Sequence, residues 1–125
     1  MTTIKRGQLP PAPVLPEETV SVPSLGGDVI VRGLLLSQQM ALHAKVARAT
    51  AAPAEGETEE QAGIRARSLR VAETLAMCVV LDDGKPLYTV EEWDVFGAKN
   101  TDDAMRLYET AQRLNGEDEE AATKN

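Results

Sequence analysis

A single histidine, a single cysteine and one small group of arginines are the residues of this chain that invite a chemical reading. His43 lies between Leu42 and Ala44 in a stretch of helical texture. No nucleophile or carboxylate can be placed beside it by spacing, so it reads as a surface or interface histidine and not as a base. Cys78 lies in Ala76-Met77-Cys78-Val79-Val80. Apolar surroundings raise a thiol's pKa and leave it inert, which makes Cys78 a core residue. One cysteine and one histidine do not make a zinc site. Asp82 and Asp83 before Gly84 carry a trace of a calcium loop, but the alternating acids and the closing glutamate are missing, so a turn is expected. Gly26-Gly27 stands between two strand-like runs and offers no helix N-terminus to a phosphate. Arg65, Arg67 and Arg70 form the basic cluster. They read either as a solvated helix face or as a contact for an acidic surface, the chain's own tail included. Trp93 and Phe96 read first as core and second as a hot spot for a partner. No residue is assigned to catalysis, to a cofactor or to a metal, and the expected activity is non-enzymatic.

Composition narrows the partners. The chain has 125 residues and a formal charge of −7. That length suits one domain. That charge disfavours nucleic acid and anionic membranes as ligands. No apolar run approaches the roughly 18 residues of a membrane span. The start, MTTIKRGQLPPAP, lacks the apolar core of a secretory signal. A lone cysteine fits a reducing compartment, and a cytoplasmic location is expected.

The elements that must position these residues can be placed by local rules. Residues 1–17 hold Pro10, Pro11, Pro13 and Pro16 and read as an extended, mobile arm. Thr19 to Leu36 reads as two β-branched strands around Gly26-Gly27. Ser37 is expected to cap a first helix reaching about Ala49. Its apolar residues occupy two sides, with Met40, Ala44 and Ala47 on one and Leu42, Val46 and Ala49 on the other. A helix apolar on both sides needs two things to pack on, so self-association is expected there. Thr58 and Gln61 form a capping box that opens a second helix. Ile64, Ser68, Val71, Ala72, Leu75 and Val79 recur at helical spacing, with Arg67, Arg70 and Glu73 on the other face. This helix is expected to fray near Val80 or Leu81, to be ended by Asp82-Asp83-Gly84-Lys85-Pro86, and to be central in the fold. A strand pair across Asp83-Gly84 is the lower-ranked reading. Thr89 caps a third helix through Val90, Trp93 and Phe96, with Gly97 as its terminator. Asn100 or Thr101 caps the last, with Ala104, Leu107, Tyr108, Ala111 and Leu114 on its apolar stripe and Asn115-Gly116 as its stop. Residues 117–125 read as an acidic disordered tail. The fold class is therefore mainly α: about four helices with a short N-terminal β-hairpin, α+β by strict count, in one domain over 18–116.

The order of these parts resembles the tail assembly chaperones of siphophages. The resemblance runs from about Thr19 to Gly116. It is carried by the hairpin "VSVPSLGGDVIVRGLLLSQQMAL", the helix end and turn "AMCVVLDDGKPLYT", and the closing "EEWDVFGAKNTDDAMRLYETAQRLNG" before an acidic end. It implies a protein made during tail morphogenesis that binds the tape measure protein, keeps it soluble, self-associates, acts in the host cytoplasm and is absent from the finished virion. It also implies a ribosomal frameshift product whose extra domain recruits major tail protein. Thr123-Lys124-Asn125 is compatible with the slippery heptamer A-AAA-AAC. Candidate contact residues for partner or self-association are Met40, Leu42, Ala44, Val46, Arg65, Arg67 and Arg70. The alternatives are a small structural tail-completion protein and a cytoplasmic adaptor unrelated to phage.

Overall fold

The computed structural model describes residues 2–8 and 10–117. The acidic tail beyond Glu117 and the Thr123-Lys124-Asn125 site lie outside the described residues.

Strand β1 spans Glu17–Val22 and strand β2 spans Gly27–Arg32, paired antiparallel with Val20 opposite Val29. The connection is a 3-10 turn at Pro23–Leu25 followed by Gly26, which accepts the expected hairpin and lengthens its turn. Period-two alternation turns Val20, Val22, Val29 and Val31 to one face. That face packs on the last helix. The chain is already tied at Pro16, whose carbonyl accepts the Gly33 N–H at 2.8 Å, so the expected arm is shorter than 1–17. Gly33 is needed there for space. A Cβ on it would come within 3.1 Å of the Pro16 ring and 3.2 Å of the Leu114 carbonyl.

Helix α1 spans Leu36–Ala49. Ser37 is not its cap but lies in its first turn. The helix begins after Leu35, whose N–H donates to the Gln38 side chain at 2.9 Å. A glutamine reaching back does the work that the serine was expected to do. Helix α2 spans Glu59–Cys78 and opens on the expected Thr58–Gln61 capping box. Helix α3 spans Val90–Lys99 and opens on the Thr89–Glu92 box. Helix α4 spans Thr101–Leu114, after Asn100. Gly97 does not end α3. It has no left-handed φ and sits inside the helix facing Ala104, and the helix stops at Asn100 instead. The stop at Asn115-Gly116 holds, with the Gly116 N–H bonded back to the Arg113 carbonyl.

The end of α2 departs from the expected fraying helix. Cys78 is followed without a loop by strand β3, Val79–Val80, antiparallel to β2 with Val31 opposite Val79. Val80 also bridges Pro86 across Asp82-Asp83-Gly84-Lys85. The Leu81 N–H donates to the Lys85 carbonyl at 2.8 Å, and Gly84 takes φ 83° to close the turn. Both readings of this stretch therefore hold in part: helix to Cys78, then a short strand pair. Two β-branched residues are buried on every side here, and they gain a ladder to β2 that a further helical turn would not provide. The N-terminal hairpin thus becomes a three-stranded sheet of order β1-β2-β3. The described residues form a mainly α, α+β fold of four α-helices and this sheet.

Helix α2 is central as expected, packed by α1, α3, α4 and β3. The core runs from Val22, Val31 and Val79 at the sheet through Leu75 and Leu107 to Trp93, the largest fully buried side chain. Trp93 stacks edge-to-face on Phe96 and Tyr88, with centroids 5.2 Å and 5.1 Å away. The buried stripe of α2 is shorter than its spacing predicts. Ile64, in the first turns of α2, is 61% exposed, and Ser68 is exposed at the open hollow beside Trp93. Glu73, expected on the outer face, is buried instead and bonded to the Lys45 ammonium at 2.7 Å. This contact pins α1 to α2. Removing the lysine leaves a buried carboxylate without its partner, so Lys45→Met should cost about 1–3 kcal/mol. Glu73→Gln in the same background should recover most of it in chemical denaturation.

Cys78 is fully buried, as its sequence context predicts. Burial pushes its thiol up to about 11, against a weaker downward pull from the Asn115 side chain. The neutral thiol is what the fold accommodates. Stability from this group is complete below pH 9 and is lost as pH rises through 11. The loss is about 2–3 kcal/mol across that window, and Cys78→Ala should flatten that part of the pH profile. Iodoacetamide at pH 8 should label Cys78 only after unfolding.

Candidate partner-binding groove

Helices α2 and α4 run side by side, and the seam between them is open on one side. At one end of the seam α1 forms a wall, leaving a trough of about 660 Å³ over Val46, Ala47, Val71, Met105 and Tyr108. At the other end α3 forms the wall of a smaller hollow of about 300 Å³, lined by Val71, Ala72, Leu75, Trp93, Ala98 and Met105. The two share Arg67, Val71 and Met105, so they form one groove. It extends along α4 from Thr101 to Gln112, roughly 16 Å at 1.5 Å per residue. Its floor is apolar at the α3 end and mixed polar and apolar at the α1 end. Charged groups line it at Arg67 and Arg70 on α2, Glu109 on α4 and Asp94 on α3. Burial pushes the Tyr108 hydroxyl up, while the positive charges of Arg70 and Arg67 oppose it.

The candidate contact residues separate into four sets, with Val46 in two of them. Val46, Arg67 and Arg70 meet at the groove. Leu42 and Val46 are 6% and 3% exposed and belong to the core, so they do not form an outer self-association face. That side of α1 packs on α2, which is the partner the two-sided pattern called for. Met40, at 63% exposure, and Ala44 lie on the opposite, open side, where Leu36 extends the apolar strip by one turn. Arg65 is committed to structure. Its Nε and Nη2 each donate to the Glu57 carboxylate at 2.9 Å, and its Nη1 donates to the Ala49 carbonyl at 2.8 Å. The pair lowers the Glu57 pKa and ties the 50–58 connection to α2. His43 faces Glu117, with Nε2 3.1 Å from Oε1.

Comparison with protein-family models, with curated proteins and with solved structures returns no match in any of the three. Among the described residues no helix is long and apolar enough to cross a membrane.

Sequence reasoning missed Val71 and Met105 as a shared lining and Ala98 as part of the hollow beside Trp93. Met105 adjoins Ala104 on the stripe of α4 and broadens it beyond what one neighbouring helix can cover. That excess width was the available signal. The hollow beside Trp93 had none, because it depends on how far α3 and α4 stand apart. Trp93 Nε1 is buried and has no hydrogen-bond partner among the described residues.

Proposed function

We propose that this protein is a tail assembly chaperone of the siphophage type, which binds the tape measure protein and keeps it soluble during tail morphogenesis without entering the finished virion. The open groove along α2 and α4, with its apolar hollow beside Trp93, is the observation that carries this reading. A tape measure protein exposes long apolar helix faces before tail tube surrounds it, and exposed patches of that size aggregate. A groove of this kind accepts such a face by burial alone, with no covalent step. Met105 gives its floor an adaptable side chain. The resemblance in sequence supports the same reading, since its hairpin, turn and closing helix are the parts that frame the core. The work is done in the host cytoplasm, in an oligomer of the chain, with major tail protein recruited by a frameshifted extension.

The reading frame that follows this one should encode a tape measure protein, and the test is co-expression with it. The tape measure protein should move from the pellet to the soluble fraction and elute with this chain. A tape measure protein that stays insoluble at equal expression overturns the reading. Mass spectrometry of purified particles separates a chaperone, which is missing, from a tail-completion protein, which is present. Calorimetry of a tape measure segment should show a negative heat-capacity change.

A further inference from the structure

We infer that the groove along the α2/α4 seam docks a three-turn amphipathic helix of another protein, and that Arg67 and Arg70 select a helix carrying carboxylates beside its apolar stripe. This rests on the binding role proposed above and names its site and the chemistry of the partner segment.

Length, polarity and charge all bear on the occupant. Roughly 16 Å accommodates about three helical turns. The floor of Val71, Ala98 and Met105 suits a stripe at i, i+3, i+4 and i+7 spacing. Charge then fixes orientation. Arg65 is held by Glu57 and Ala49, but Arg67 and Arg70 make no ion pair among the described residues. Arg70 lines the groove at the α1 end and Arg67 its middle, whereas Asp94 lines the α3 end. In a chain of net charge −7, carboxylates of a partner are repelled over most of the surface and accommodated here. Glu109, across the trough from Arg70, sets a limit on how far they can shift. A second copy of this chain fits poorly. The exposed apolar strip of α1, Leu36 to Met40, has no acidic residue in its first turn to meet the arginines.

The experiment titrates the ¹⁵N-labelled full chain with a synthetic three-turn helix bearing four leucines in one stripe and two glutamates beside it. A twin with lysines replacing the glutamates is run in parallel. Amide shifts should cluster at Val71, Ala98, Met105 and Tyr108, and the lysine twin should bind about tenfold more weakly. The double variant R67E/R70E, with its cooperative melting checked alongside because Arg70 is half-buried, should reverse that preference. Equal affinity for both peptides overturns the inference, as do shifts centred on Leu36 and Met40. It is also overturned if ending the chain at Glu117 moves the same groove amides, since residues 118–125 would then be the occupant. In co-expression, R67E/R70E that solubilises tape measure protein as well as the unaltered chain sinks this inference and leaves the chaperone reading standing. If the unaltered chain fails to solubilise it, the chaperone reading falls and the peptide titration judges the groove alone.

Discussion

Leu42→Asp combined with Val46→Asp should abolish folding. Both side chains lie in the core between α1 and α2. Each substitution removes an aliphatic side chain worth about 2–4 kcal/mol and places a carboxylate where no cation of the chain is paired to it. Two such losses exceed the roughly 5–15 kcal/mol that a domain of this size has in total once the charge cost is added. The expected result is a far-UV signal without a cooperative thermal transition. Met40→Asp with Ala44→Asp is the matched control on the open side of the same helix. It should shift stability by no more than about 0.5 kcal/mol per site. If that control also dissociates an oligomer, the self-association face is the Leu36–Met40 strip. Retained cooperative melting in the first variant would mean that α1 does not pack through Leu42 and Val46.

Trp93→Ala carries the next largest effect. The indole is 1% exposed and meets Tyr88 and Phe96 edge-to-face. Truncation leaves a cavity that α2 and α4 cannot close, at about 3–5 kcal/mol. For a domain of this length that lowers Tm by roughly 12–20 °C. Trp93→Phe should lose less than half as much. It keeps the aromatic packing and gives up an N–H that has no partner among the described residues. An equal loss in both variants would show that Nε1 does contribute a bond to the fold.

The parts of the fold that were readable in sequence are those decided within a few residues. Thr58 with Gln61 and Thr89 with Glu92 are complete local devices, and both open helices where expected. Gly26-Gly27 and Asp83-Gly84 mark turns for the same reason. What failed depended on distant neighbours. Val79-Val80 has the spacing of one more helical turn, but β2 offers it a ladder, and nothing near it in sequence says so. Ile64 is apolar yet lies beyond the reach of α1 and α4. Glu73 is charged yet buried, because Lys45 from another helix meets it. The groove was half legible: the arginines stood out, but which of them were already engaged depended on Glu57 in a loop with no apolar period.

The direct passage from α2 into β3 has a consequence for the order of folding. A hairpin of two strands is marginal alone in water. The third strand arrives only when Val79 meets Val31, and that contact closes a loop holding all of α1 and α2. The closing entropy must be met before the ladder returns anything. Asn115 then locks the junction, with its Oδ1 accepting the Leu34 N–H at 2.7 Å and its Nδ2 reaching Cys78 Sγ at 3.8 Å. The sheet is therefore expected to complete late, after the helices have gathered, with strand pairing and the burial of Cys78 closing together.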